Sequence, residues 1–247
     1  ADEYTLDNLM QKCTTLNEGI LILRIMNVQG LEPTVKTFTK FLNSLVDWEE
    51  AKKMIKMMKD LGIKPNQVTY NSLMKKVKRW DQVDLVFDLM KKNSINIDVI
   101  TYNSMINRVV NTLDEMETAF KLMNDHKVKP DITIFNSLIS KLVKDINKIE
   151  VAIIFKKMKE MNIEPKPIIF STLIFKCRTF DDTMKVIEIM DSMHVKPADT
   201  IFKPFLSKCK TEDEINKVVN MMKERGLEVP LHCRIRFNLS PSKEDSH

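Results

Sequence analysis

Glycine is almost missing from this chain: there are four in 247 residues, alongside nine prolines. So few turn-formers exclude a loop-rich all-β fold and argue against low-complexity disorder. Tyrosine is also scarce, three residues against seventeen methionines, which points to helical packing rather than strands. The cysteines, Cys13, Cys177, Cys209 and Cys233, show no CxxC and no short His/Cys spacing. That pattern excludes a disulfide framework or a zinc site, and free buried thiols suit a reducing compartment. No apolar run approaches the roughly 18 residues of a membrane span. Also absent are a nucleophile–base pair, a carboxylate cluster and a glycine-rich phosphate loop. The expectation is a protein that is not an enzyme and needs no cofactor, metal or membrane.

The opening ADEYTLDN is acidic, with neither an Arg-rich amphipathic pattern nor a secretory apolar core. It lacks an initiating methionine, so any leader is expected to have been trimmed or left out. Positive charge is in small excess: the net is +5 with a pI near 8.9. Such a balance permits a polyanionic partner without demanding one.

What is present is a recurrence. The line IKPNQVTYNSLM at 63–74 follows LEPTVKTFTKFL at 31–42 and precedes VKPDITIFNSLI at 128–139. Aligned on this junction, Leu6, Phe38, Tyr70, Tyr102, Phe135, Phe170 and Phe202 stand 32, 32, 32, 33, 35 and 32 residues apart. A second register, Met26, Met58, Met90, Met123, Met158, Met190 and Met222, marches with nearly the same steps. Two registers moving together mean a repeat architecture.

Each unit reads as two helices. In the first, apolar residues recur three, four and seven places after the aromatic, as in Tyr70, Leu73, Met74 and Val77, or Phe135, Leu138, Ile139 and Leu142. Cys13, Cys177 and Cys209 share the slot of Val77 and Leu142 and read as small core hydrophobes. The second helix carries pairs such as Val86 and Phe87 before its methionine. It ends at Gly30, Gly62, Asn162 or Gly226, residues suited to a left-handed cap, and a proline such as Pro65 or Pro130 fixes the exit. One hairpin cannot bury its apolar faces alone, so neighbours must stack. The expected fold is all-α: an α-solenoid of about seven helix-turn-helix repeats in a right-handed superhelix. The array is expected over residues 3–232, with units at about 3–34, 35–66, 67–98, 99–131, 132–166, 167–198 and 199–230. Extra length falls around Lys144–Lys148, and the tail 233–247 is expected to be disordered towards its end.

The segments VTYNSLM, VITYNSMI and DITIFNSLI, the closing Met-Lys-x-x-x-Ile-x-Pro and the 32–35-residue period resemble pentatricopeptide repeats. Tetratricopeptide repeats have a similar length but carry a Trp/Leu-Gly/Tyr pattern in the first helix and small residues where the helices cross. No first helix here contains glycine. The resemblance implies a modular reader of single-stranded RNA, one base per repeat. It implies that the residue after the first-helix aromatic and the last residue of the repeat meet the base edge. It further implies that an aliphatic side chain two places before the aromatic stacks on the base.

Carried onto this chain, Thr39 with Asn66 is similar to an adenine-reading pair. Asn71 with Asp98, and Asn103 with Asp131, look like uracil-reading pairs. Val68 and Ile100 supply stacking surface, whereas Lys36 departs from that pattern. Asn136 pairs with Lys166 and departs at the second member; Ser171 with Ala198 lacks a polar second member. Asp7 with Thr34, and Lys203 with Pro230, do not fit. Asparagine and threonine near helix starts also serve as caps, which leaves a purely structural alternative for these residues. Lys75 and Lys78, taken as lying on the face of the reading residue, are candidate phosphate contacts with Arg79, Lys144, Arg178 and Lys210. The resemblance implies a mitochondrial or plastid setting and a role in RNA processing, stability, editing or translation. The rival reading is a protein-binding scaffold, such as a structural subunit of an organellar ribosome or RNA-processing complex. His126 and His194 fall between repeats and are expected to be exposed.

Overall fold

The computed structural model describes residues 2–146, 149–197, 199–227 and 229. Ala198, Pro230, Cys233 and the tail 233–247 therefore lie outside the described residues. Among those described there are fourteen α-helices and no strand. The chain forms two compact units, one up to Pro130 and one from Asp131. The first unit holds four hairpins: α1 (Glu3–Met10) with α2 (Leu16–Val28), α3 (Val35–Ser44) with α4 (Trp48–Asp60), α5 (Gln67–Met74) with α6 (Trp80–Lys92), and α7 (Val99–Val109) with α8 (Leu113–Asp125). The second holds three: α9 (Ile132–Leu142) with α10 (Ile149–Glu160), α11 (Pro167–Lys176) with α12 (Phe180–Ser192), and α13 (Asp199–Leu206) with α14 (Glu212–Glu224). Within the first unit α3 packs on α1 and α5, and α5 on α7. Within the second, α11 packs on α9 and α13. This is the stacked-hairpin arrangement of an α-solenoid.

Both sequence registers are core. The aromatics Phe38, Tyr70, Tyr102, Phe135, Phe170 and Phe202 and all seven anchoring methionines are 0% exposed. The methionines also fix how each hairpin ends. Four residues after each one, the backbone turns left-handed, at Gly30, Gly62, Ser94, Lys127, Asn162, His194 and Gly226. The next amide then donates to the methionine carbonyl at 2.8–3.1 Å, from Leu31 to Met26 through Leu227 to Met222. This is the six-to-one bond of a Schellman ending. Glycine makes that conformation cheap; Ser94, Lys127 and His194 adopt it at a cost of about 1 kcal/mol each. The second helices α2, α4, α8, α12 and α14 start on side-chain caps, with full capping boxes at Thr15–Glu18, Thr112–Glu115 and Thr211–Glu214, whereas Arg79 before α6 makes no cap bond.

Several expectations need correction. Val77 and Cys177 are buried as expected, but they lie past the ends of α5 and α11, as Cys13 and Cys209 do past α1 and α13. In these hairpins the last stripe position packs from a turn, whereas Leu142 holds it inside α9. Burial raises the Cys177 and Cys209 thiols to about 11, so both stay protonated and inert at neutral pH. His126 is half-buried rather than exposed: its Nδ1 lies 2.6 Å from the Tyr102 hydroxyl and its ring meets Phe87 edge-on. Burial, and next to it Lys91, holds His126 below the ordinary histidine range.

Gly19 is the one glycine that ends no helix. It sits inside α2, where a β-carbon would collide with the Phe41 ring, itself 0% exposed. Gly19→Ala is expected to destabilise the fold by roughly 1–2 kcal/mol, because overpacking outweighs the ~1 kcal/mol gain in helix propensity. A urea midpoint that rose instead would mean Phe41 gives way.

Candidate nucleic-acid interface

The residues singled out along the first helices occupy one repeated local geometry. Thr39, Asn71, Asn103, Asn136 and Ser171 each stand at the fifth position of α3, α5, α7, α9 or α11. Val68 and Ile100 stand three residues earlier on the same helix face and are 59% and 62% exposed, which an apolar side chain does not adopt for packing. Tyr4, at 71%, and Ile168, at 54%, hold the same slot in α1 and α11. Sequence reasoning missed both, although the aromatic register points directly to them.

The second members of the pairs are N-caps. Asn66 Oδ1 accepts from the Thr69 amide at 3.0 Å, and Asp98 Oδ1 from the Thr101 amide at 2.8 Å. Asp131 Oδ1 accepts from Thr133 and Ile134 at 2.9 and 3.1 Å. Capping therefore falls to these second members, while Asn71, Asn103 and Asn136 lie a full turn inside their helices, too far along to cap them. Lys166 occupies the cap position of α11 without a side-chain cap bond.

The residues at this fifth position also bond to the following repeat. Thr39 Oγ1 lies 3.2 Å from Thr69 Oγ1, and the buried Asn71 Oδ1 lies 2.7 Å from Thr101 Oγ1. Asn136 Oδ1 accepts from Thr172 Oγ1 at 2.6 Å. Ser171 turns back on its own helix, donating to the Pro167 carbonyl at 3.2 Å. In α1 the same slot holds Asp7, which is buried and paired with Lys40 at 3.2 Å.

The cations stand elsewhere than the helix-face argument placed them. The helix α5 ends at Met74, so Lys75 is its C-cap and Lys78 and Arg79 follow in the turn. Lys144, Arg178 and Lys210 likewise lie beyond α9, α11 and α13. All six are exposed, in the turns inside the hairpins. Arg79 is also engaged: its Nε and Nη2 donate to the two Asp81 carboxylate oxygens at 3.0 and 2.8 Å. Both ends of that pair are exposed, so its net contribution is small.

A different set of side chains ties the repeats together. Six residues after the aromatic, Lys76 Nζ donates to the Asn43 carbonyl at 2.8 Å and Lys176 Nζ to Ser140 at 2.6 Å. Arg108 Nε reaches Val77 at 3.4 Å, and Ser44 Oγ reaches Met10 at 3.4 Å. Each donor meets a carbonyl at or just past the end of the preceding first helix, where positive charge is favoured. Burial, then Arg108 and Lys75, lowers the Lys76 ammonium below its ordinary range. Among the described residues, no His/Cys/Asp/Glu group could hold a metal ion.

A repeated hairpin of this kind, with polar residues and exposed aliphatics recurring on its first helices, defines a helical-repeat array. The pentatricopeptide repeat domain model matches residues 21–79, 85–145 and 118–179, more than half of the sequence. The chain belongs to the pentatricopeptide repeat family. It is similar to the pentatricopeptide repeat protein PPR10 in complex with an 18-nt psaJ RNA element, at 20% identity and a TM-score of 0.53 over 94% of this chain and 42% of that one. It is also similar to PPR10 from maize, at 20% identity and a TM-score of 0.54 over 96% of this chain and 36% of that one. At that identity the likeness speaks for the fold. The chain spans about two fifths of the length of these two solved chains. No curated protein matches in sequence.

Proposed function

We propose that this array, over residues 3–232, binds single-stranded RNA and reads it base by base. The observation that carries the reading is the placement of exposed Val68 and Ile100 one turn before Asn71 and Asn103. An apolar surface for a base face then stands beside an amide for its edge. Thr39 with Asn66, Asn71 with Asp98 and Asn103 with Asp131 are the proposed base-reading pairs, with weaker contributions from Asn136 and Ser171. The psaJ RNA element held by the similar PPR10 supports the ligand class. An organellar setting, in RNA processing, stability, editing or translation, follows from the family and belongs to this proposal. So does the absence of catalysis. The direct test is a gel shift with a short U-rich RNA and its DNA counterpart. Equal binding of both, or of neither, would reject the proposal.

Lys75, Lys78, Lys144, Arg178 and Lys210 are the proposed phosphate contacts, with Arg79 available once it leaves Asp81. If about four or five act, log K should fall against log salt with a slope of roughly −3. Filter binding across salt concentrations measures it. A flat dependence would favour the scaffold reading, which has its own observation: Leu21, Ile25 and Val28 form an exposed apolar stripe along α2.

A further inference from the structure

We propose that Thr101, and Thr69 in the preceding repeat, are positioning residues that fix which atoms a reading pair presents; this rests on the base-reading proposal above. Each threonine stands immediately before a core aromatic and is itself fully buried. Its hydroxyl touches both members of the pair that precedes it. Thr101 Oγ1 lies 2.7 Å from Asn71 Oδ1 and 2.8 Å from Asp98 Oδ1. Thr69 Oγ1 lies 3.2 Å from Thr39 Oγ1 and 3.1 Å from Asn66 Oδ1. The two halves of a pair, separated by most of a repeat in sequence, are thus joined through one hydroxyl of the next repeat.

A hydroxyl has one proton to donate. Between an amide oxygen and a carboxylate, the carboxylate is the stronger acceptor, so the Thr101 proton goes to Asp98. The contact with Asn71 is then satisfied by a half-turn of the amide, which brings Nδ2–H to the lone pair of Thr101 Oγ1. That leaves the Asn71 carbonyl oxygen to face outwards. The reverse arrangement, with Asn71 Oδ1 towards Thr101, sets that oxygen and Asp98 Oδ1 against a single hydroxyl proton and is the less favoured of the two. Uracil and cytosine exchange donor for acceptor along the pairing edge. A pinned amide discriminates between them, while an amide free to turn satisfies both.

The second unit of the fold provides a contrast. Isoleucine holds the threonine slot there, at Ile134, Ile169 and Ile201, and offers no hydroxyl. Asn136 is held instead by Thr172, two places after the aromatic, and Lys166 is not joined to it by a shared hydroxyl.

The test uses the full chain and two RNAs that differ only in U or C opposite the third repeat, in identical flanks. Wild type is expected to discriminate about tenfold, within the range of a single well-placed base contact. Thr101→Val should bring the two dissociation constants within about twofold of each other, with the preferred RNA still bound. Thr101→Ser, which restores the hydroxyl, should restore the discrimination. Thr101→Ala, which removes the hydroxyl without adding a methyl, should behave like valine and keeps the test intact if valine disturbs packing. Discrimination retained in both Thr101→Val and Thr101→Ala, or lost in Thr101→Ser, overturns the inference. Asn71→Ala separates the two levels. If it abolishes discrimination while Thr101→Val retains it, only the positioning role falls. If Asn71→Ala also leaves the ratio unchanged, the base-reading proposal falls with it.

Discussion

Met90→Asp is expected to lower the unfolding free energy by about 3–5 kcal/mol, the range for removing a large buried side chain. The carboxylate adds a desolvation cost that no partner offsets. Met90 is 0% exposed in α6, and its carbonyl anchors the left-handed ending through Ile95 at 2.9 Å. A loss of that size is a large share of a typical domain's stability. In a stacked array it should also uncouple the neighbouring hairpins, because each repeat contacts mainly its neighbours. Thermal melting followed by circular dichroism should show a lower and broader transition. Met58→Asp should behave alike, since Met58 occupies the same place in α4. Two controls bound the result. Met90→Leu should cost less than about 1.5 kcal/mol. Val28→Asp, at a residue 86% exposed, should barely move the midpoint. An unchanged melt for both buried substitutions would mean that the methionine register is not the core.

That register was legible because burial on a helix repeats with the hairpin, and seven copies average out local noise. The helix endings were only partly legible. The glycines and Asn162 advertise a left-handed backbone, but Ser94, Lys127 and His194 adopt it because the Schellman bond to the methionine carbonyl requires it. First-helix ends were misjudged for a similar reason. Apolar periodicity runs on through Val77, yet α5 ends at Met74, where the backbone tightens into the turn bonds Lys76 to Leu73 and Val77 to Met74, and burial continues from that turn. This difference moved Lys75 and Lys78 off the helix face. At the candidate site, the family resemblance singled out Asn71 and Asp98, but residue type could not separate capping from the proposed reading, since both tasks favour short polar side chains. Only the three-dimensional arrangement assigns the cap to Asp98 and the inter-repeat bond to Asn71. The threonine before the aromatic was visible in the sequence as Thr37, Thr69 and Thr101. Its significance depends on a contact about 30 residues away in sequence, which no local pattern carries.

Replacing Asn71 with Thr and Asp98 with Asn together is expected to move the third repeat's preference from uracil towards adenine. The fold already contains the resulting pair one repeat earlier. Thr39 and Asn66 meet Thr69 there as Asn71 and Asp98 meet Thr101, so the exchange imports a geometry this backbone supports. Stability should hardly change. Asparagine caps a helix about as well as aspartate, so the Thr101 amide keeps its acceptor. The polarity implied by the family, with the N-terminal repeat at the RNA 5′ end, sets A-U-U against the second to fourth repeats. Competition between AUU and AAU oligonucleotides in identical flanks measures the ratio for both proteins. A shift of about 1–3 kcal/mol in relative affinity is expected, the scale of single-base discrimination in DNA readers. An unchanged ratio with intact binding would show that Asn71 and Asp98 do not read the base. Melting curves run alongside separate a lost reader from a lost fold: if binding disappears while the transition stays in place, the pair supplies contact without selectivity.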